Sequence, residues 1–311
     1  MRNVLVTGGT GFIGRELVRQ LINRGDDVTI LSRSKPKEKV KWIKADITDK
    51  SGLEQGLKDY HFDIIYHTTS LPGDTGNPEE MVNVNINGLL NMLEFDRHSG
   101  VQRFVLTSSI SAYEWFPATK FRPPKYMPVD ENHPCMPQDM YSTTKRMQEL
   151  LAMTYYYQYK VPVTVLRVTA VIGPEGSGGG RMWRDFAKQM KEGKQIQLPM
   201  FSPEELSHFV DLRDVAEMHI VAGCHPNAVG EIFNCCGPKP TRGSEFAEEV
   251  KRIVPKAEIL FVYPWSMAQG GEIEFDISKM EKLLGYKPKY TLRDSILSIY
   301  EWVKSGGLEE N

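Results

Sequence analysis

Residues 2–14 read Arg2-Asn3-Val4-Leu5-Val6-Thr7-Gly8-Gly9-Thr10-Gly11-Phe12-Ile13-Gly14. The Val and Leu run up to Thr7, closed by glycine, predicts a buried parallel strand. Beyond the glycines, Phe12, Ile13, Leu17, Val18, Leu21 and Ile22 recur at helical spacing until Asn23-Arg24-Gly25 ends the run. Strand, glycine turn and helix together form the setting of a dinucleotide-binding fingerprint. Gly8 permits the tight turn, Gly11 lets backbone approach a pyrophosphate, and Gly14 lets helix and strand pack closely. Phosphates then rest at the helix N-terminus, where free N–H groups and the dipole favour an anion. Thr10, Phe12 and Ile13 belong to the same turn and are cofactor-contact candidates with Gly8 and Gly11. The spacing is Gly-x-x-Gly-x-x-Gly, so the position directly after a strand carries the reading, not the glycines alone.

The next strand, Val28-Thr29-Ile30-Leu31, ends in Ser32-Arg33-Ser34-Lys35. A carboxylate at this place binds a ribose 2′-hydroxyl and repels a 2′-phosphate. None stands here, whereas Ser32 and Arg33 can donate to a 2′-phosphate. The expectation is therefore NADP(H), with NAD(H) as the alternative if Arg33, Lys35, Lys37 and Lys39 are only a solvated loop. Asp46 and Ile47, closing a third short strand, are expected near the adenine.

The other bulk properties are those of a globular chain. It has 311 residues, 41% of them hydrophobic, and a net charge of −2, which is enough for one large core and a smaller lobe. Near-neutral charge without a basic stripe argues against nucleic acid as a partner. No apolar run approaches membrane-spanning length and the first strand begins at once, so no membrane partner and a cytoplasmic location are expected. Cys135, Cys224, Cys235 and Cys236 lack zinc or redox spacing and the seven histidines are scattered, so no metal is expected. Strand-like and helical segments alternate through Arg103–Thr107 and Val163–Arg167, which is the pattern of a Rossmann-like α/β fold with a doubly wound parallel sheet. After Gly173-Pro174 the regularity loosens, and Glu231–Cys235 reads as a late strand returning to the sheet. The expected division is residues 1–172 and 208–240 for the dinucleotide-binding domain, and 173–207 and 241–311 for a small substrate lobe. A small-molecule substrate would bind between them.

Tyr-x-x-x-Lys occurs three times, as Tyr141/Lys145, Tyr156/Lys160 and Tyr300/Lys304. Only the first follows a serine-rich strand end, at Ser109, and precedes another sheet strand. A helix starting after Asp139 sets Tyr141 and Lys145 on one face, a turn apart. A phenol with a reference pKa near 10 must fall by about 3 units, or about 4 kcal/mol, to act as a base near neutrality. A lysine ammonium one turn away favours the phenolate. Ser109 would orient the substrate oxygen and share its developing charge. These three residues are the catalytic candidates.

With these residues in place, the chain resembles an extended short-chain dehydrogenase/reductase, the superfamily that includes the NAD-dependent epimerases and dehydratases. The likeness covers Thr7–Gly14, Asp46-Ile47, Asn85-Ile86-Asn87-Gly88, Thr107-Ser108-Ser109 with Tyr113, Tyr141–Lys145, Arg167 to Gly173-Pro174, and Asp276-Ile277-Ser278-Lys279. It implies that Ser109, Tyr141 and Lys145 are catalytic, that Tyr141 and Lys145 also touch the cofactor, and that Asn85 lies along it. A homodimer is implied as well. His67-Thr68-Thr69-Ser70 replaces the small apolar pair usual beside the cofactor, which makes Thr68 a contact.

The departures narrow the reaction. Ile110 and Ser111 stand where the family's dehydratases carry an Asp-Glu pair, which disfavours dehydration. Ser207 and Ser266 occupy the places of two arginines that hold a sugar-nucleotide pyrophosphate, so charge-assisted bonds to it are lost. Arg181 or Arg184 could compensate, although each fits a solvated surface. Val210–Ala216 with His219 resembles NADPH-dependent carbonyl reductases of the dihydroflavonol reductase type, His219 itself reading as a packed helix residue. Trp115, Phe116, Phe121 and Arg122-Pro123-Pro124 either roof the substrate pocket or pack a long loop. The leading expectation is an NAD(P)-dependent oxidoreductase acting on a carbonyl or secondary alcohol, such as that of a sugar derivative, with Tyr141 exchanging the proton. The alternative is a nucleotide-sugar epimerase with tightly bound NAD. The third reading is a non-catalytic dinucleotide sensor.

Overall fold

Alternation of side chains along the first strand decides the layering. In β1 (Asn3–Thr7), Val4 and Val6 point to one core cluster and Leu5 to another, because successive residues of a strand face opposite sides. A sheet that is apolar on both faces needs helices on both. In the structure, a computed structural model, residues 1–73, 77–113, 123–174, 180–200, 202–261 and 271–308 are described. The chain runs from β1 through α1 (Phe12–Asn23), β2 (Asp27–Ser32), β3 (Lys41–Lys44), α2 (Lys50–Leu57) and β4 (Ile64–His67). Next come α3 (Pro78–Val82), a π-helical turn over Asn83–Asn87, α4 (Gly88–Ser99), β5 (Arg103–Ser109), α5 (Met140–Tyr159), β6 (Val163–Val168) and β7 (Ala170–Ile172). The remainder comprises α6 (Arg181–Glu192), β8 (Gln195–Leu198), β9 (Leu206–Ser207), β10 (Phe209–Asp211), α7 (Leu212–Cys224), β11 (Ile232–Cys235), β12 (Thr241–Arg242), α8 (Gly243–Ile253), β13 (Glu258–Phe261), α9 (Ser278–Leu284) and α10 (Leu292–Lys304).

Seven strands form one parallel sheet in the order β11-β6-β5-β4-β1-β2-β3. Strand order reverses between β1 and β4, which opens a crevice at their carboxyl ends. Leu17, Val18 and Leu21 of α1 pack with Val215 and Met218 of α7 on one face, and Leu89, Met92 and Leu93 of α4 pack with Ala152 of α5 on the other. A third cluster, built on Trp183, Phe186, Phe246, Ile296 and Ile299, ties α6, α8 and α10 together beside the β8–β13 pair. Met280, Leu284 and Tyr286, from the tail that the sequence reading placed with the small lobe, pack instead in the core of the sheet. The late strand expected near residues 231–235 is β11, at the sheet's edge next to β6. Among the described residues, no helix is long and apolar enough to cross a membrane.

Candidate active site

The glycine turn is shaped by contact. Gly8 has φ +73°, and a Cβ there would lie 2.8 Å from Thr68 Oγ1 and from the Thr69 amide. A Cβ on Gly14 would lie 2.2 Å from the Gly8 carbonyl oxygen. Gly11 caps α1 with no side-chain acceptor, so the first N–H groups of that helix are left for a ligand. A cleft of about 380 Å³ opens above, lined by Gly8, Gly11, Phe12, Ile13, Thr68, Ser109, Tyr141 and Lys145. A neighbouring cleft of about 200 Å³ continues from Gly8 and is lined by Thr10, Ser32, Arg33, Asp46 and Ile47. The structure therefore sets every predicted site residue but one along two adjoining clefts at the crevice between β1 and β4.

The exception is Asn85. It is fully buried in the π-helical turn and its side chain is spent on the protein itself. Its Oδ1 accepts from the Leu71 amide at 2.8 Å and from Ser70 Oγ at 3.1 Å, and its Nδ2 donates to Thr144 Oγ1 at 3.0 Å. Asn85 thus ties the segment after β4 to the helix that carries Tyr141.

At the end of β2, Ser32 Oγ donates to the Ser34 carbonyl, 2.7 Å away. Arg33 Nη1 stands 4.0 Å from Asp46 Oδ2 with three quarters of its side chain in solvent. A 2′-phosphate bound there would meet the Asp46 carboxylate as well as the guanidinium, which weakens the electrostatic case for it.

Tyr141 lies in the first turn of α5 and Lys145 follows a turn later, because Asp139 caps the helix by accepting from the Ser142 amide at 2.8 Å. Lys145 Nζ lies 5.8 Å from the Tyr141 ring centre and donates to the Thr107 carbonyl at 3.0 Å. Burial pushes the Tyr141 phenol up to about 12, against a hydrogen bond from Ser109 that lowers it, and Asp139 raises it further. Burial brings Lys145 down to about 8, with Glu149 opposing. The lysine therefore points at backbone, and lowering of the phenol is not built into the protein alone. Thr107 Oγ1 is 2.8 Å from His219 Nε2, whose Nδ1 is 2.7 Å from the Val215 carbonyl, so His219 is a neutral packed residue.

The other two Tyr-x-x-x-Lys pairs lie elsewhere. Lys160 is the left-handed cap of α5, and Lys304 Nζ rests 4.3 Å over the Tyr300 ring on α10. Ser207 is buried and donates to Glu205 Oε1 at 3.0 Å. Arg184 donates to the Leu308 carbonyl, and Arg181 borders a small surface cleft with Trp183 and Phe186. Trp115, Phe116, Phe121, Arg122, residues 175–179 and Ser266 lie outside the described residues. Among the described residues no group of three or more His, Cys, Asp or Glu is placed to hold a metal ion.

Sequence reasoning passed over the charges beneath the site. Glu149 is buried and accepts from Ser108 Oγ at 2.7 Å, from Arg167 at 2.9 and 2.8 Å, and from Arg146 at 3.0 Å. Two signals in the sequence point to it: Glu149 falls four residues after Lys145 on one helical face, and Arg167 is a charge inside the buried strand Val163–Val168. His67, at the end of β4, is also buried. Its Nδ1 meets Thr7 Oγ1 at 2.9 Å, and burial followed by the charge of Lys145 lowers it to about 3.

The profile of the NAD dependent epimerase/dehydratase family matches residues 4–236. A putative UDP-glucose 4-epimerase of Methanocaldococcus jannaschii is 29% identical over 97% of this chain and 98% of its own length. A UDP-glucuronate 4-epimerase of Thermodesulfobacterium geofontis is 28% identical over 96% and 95%. The crystal structure of a UDP-glucuronic acid 4-epimerase from Bacillus cereus, in complex with UDP-glucuronic acid and NAD, superposes with a TM-score of 0.80 at 25% identity, covering 97% of this chain and 99% of that one.

Proposed function

The chain belongs to the NAD dependent epimerase/dehydratase family, and from that membership we propose that it is a nucleotide-sugar epimerase that retains NAD. The observation that carries the proposal is the meeting of Ser109, Tyr141 and Lys145 in one cleft with the glycine turn. The cradle suits a dinucleotide, since a Cβ at Gly8 or Gly14 would push the turn off Thr68 or the Gly8 carbonyl and the N-terminus of α1 has no side-chain cap. NAD is favoured over NADP because the Asp46 carboxylate stands beside Arg33 where a 2′-phosphate would need positive charge alone. The relatives named for UDP-sugar 4-epimerases support the same choice of reaction and cofactor. When bound, the nicotinamide supplies a reversible hydride acceptor.

The protein's own residues move the proton. Tyr141 takes it from the sugar hydroxyl as the carbinol carbon loses hydride, and gives it back when hydride returns to the opposite face. Ser109, in hydrogen bond with Tyr141, steadies the substrate oxygen while its charge changes. Lys145 supplies the cation that favours the phenolate. Tyr141→Phe should lower turnover by about a hundredfold or more and leave NAD affinity nearly unchanged by calorimetry. Retained turnover would remove Tyr141 from the chemistry.

One feature favours a second reading. The hydroxyl of Ser207 is spent on Glu205, so a substrate diphosphate finds no cation there. A dehydrogenase or reductase acting on a carbonyl or secondary alcohol of a sugar derivative without a diphosphate accommodates this directly. The two readings separate on one experiment. Purified protein is denatured and its released nucleotide identified by mass spectrometry, and intact protein is incubated with UDP-sugars and the products resolved. Retained NAD with a new C4 epimer supports the epimerase. An empty protein that binds NADPH more tightly than NADH and reduces carbonyl compounds establishes the second reading.

A further inference from the structure

Lys145 is cationic in a place where few cations are stable. It is 3% exposed, and among the described residues its ammonium has one hydrogen-bond acceptor, the Thr107 carbonyl at 3.0 Å. Among the described residues, the charged and titratable groups that face it come from five elements. On β4 stands His67, held neutral by burial and by the lysine's own charge. His219 of α7 meets the Thr107 hydroxyl and is neutral as well. On α5 itself stand Tyr141, a turn before, Glu149, a turn after, and Arg146, whose guanidinium donates to Glu149. From β5 and β6 come Ser108 and Arg167, both bonded to Glu149.

Only Glu149 in this set is negative. A buried carboxylate with no partners would take up a proton, but here burial is outweighed by Arg167, Ser108 and Arg146, and the carboxyl stays below the usual range. The Arg167 guanidinium is fixed in turn by the Tyr113 ring, 4.6 Å from its Cζ, and by the Glu131 carbonyl. The anion is therefore permanent and held to one position.

We propose that Glu149, locked by Arg167 and Ser108, is the positioning residue that keeps Lys145 charged beneath the cleft. The inference rests on the assignment of Lys145 to the reaction, and adds why the lysine can serve there. With its midpoint at about 8, Lys145 is about nine-tenths protonated at pH 7. A fall of about two units would leave about a tenth protonated, and most molecules would lose the cation that Tyr141 needs. The ion pair, which resembles ordinary core stabilisation, thereby sets the pH range over which the site works.

The test reads Lys145 directly and requires no substrate. Nucleotide-free protein labelled with ¹³Cε-lysine is titrated by NMR, the Lys145 signal being assigned with Lys145→Arg. The expected midpoint is near 8 in the unaltered chain. In Glu149→Gln it falls by about one unit or more, a tenfold loss in proton affinity. In Glu149→Asp, which keeps the charge, it stays within a few tenths of the unaltered value. Glu149→Gln strands the Arg167 guanidinium, so Glu149→Gln/Arg167→Gln is measured beside it. That variant removes the anion one turn from Lys145 together with its buried guanidinium partner, leaving Arg146 partly in solvent, and the midpoint again falls, by less. A folded double variant with Lys145 still at its original midpoint overturns the inference. Absence of any epimerase activity would leave this titration unaffected, and an active epimerase with an unmoved midpoint would overturn the inference alone.

Discussion

At the residue scale, Gly14 and Asn85 show two kinds of legibility. The demand on Gly14 is steric and local, so it shows in the sequence. The structure gives it a number, a Cβ 2.2 Å from the Gly8 carbonyl. Gly14→Ala has to move backbone to relieve that contact, at a cost of about 1–3 kcal/mol. Nucleotide affinity measured by calorimetry should fall at least about tenfold. Unchanged affinity would mean that the turn does not hold the phosphates. Asn85 is the opposite case. Its place in a family-like motif implied a cofactor contact, yet its amide bonds Ser70, Leu71 and Thr144. Such use of a side chain depends on which segments the fold brings together, and no local pattern announces it. Arg167 falls between the two. A charge in an apolar strand signals a buried partner, but the identity of that partner, Glu149, is set only when α5 packs on β6.

At the scale of elements, α1 and the sheet strands other than β4 were readable, because each has a period or an apolar run and a clear stop. The boundaries near Thr7, Asn23 and Cys235 follow glycine and polar breaks. The π-helical turn at Asn83–Asn87 and the short pairs β7–β10 and β9–β12 were not, since two or three residues carry no period. The geometry of the candidate site depends most on the start of α5. Asp139 acts there twice, as the cap that fixes where the helix begins and as a negative charge that raises Tyr141 after burial has done so. Two substitutions separate these roles. Asp139→Asn keeps a good cap and removes the charge, so Tyr141 ionises more readily and the acid limb of the kcat profile moves to lower pH by a few tenths of a unit. Asp139→Ala moves the limb the same way and also costs about 1 kcal/mol of stability, or roughly 2 °C in Tm. A limb that shifts upward in Asp139→Asn would contradict this placement of the charge.

At the scale of the whole molecule, the question is whether the sheet and the aromatic cluster around Trp183 behave as one body. The sequence reading divided them by chain position, at residues 173–207 and from 241 onward. Packing crosses that division in two places. Phe12, part of the glycine turn, lies against the Trp183 cluster, and a Cβ on Gly180 would come within 2.7 Å of its ring. In the other direction, Met280, Leu284 and Tyr286 return from the tail into the core of the sheet, where the Tyr286 hydroxyl donates to the buried Asp214 at 2.6 Å. Phe12 also lines the larger of the two clefts, so the glycine turn and the lobe beside it are mechanically joined there. Phe246 tests the join, because it is fully buried at the centre of the lobe with Phe186 and Phe209 edge-on to it, far from the glycine turn in sequence. Phe246→Ala removes about 3–5 kcal/mol. If the shared side chains make one cooperative unit, calorimetry of the nucleotide-free protein shows a single transition moved down as a whole. A lobe that melts early while the main transition keeps its original Tm would mean that Phe12 and the returning tail do not couple the two bodies, and the clefts would then close over a hinge instead of a fixed wall.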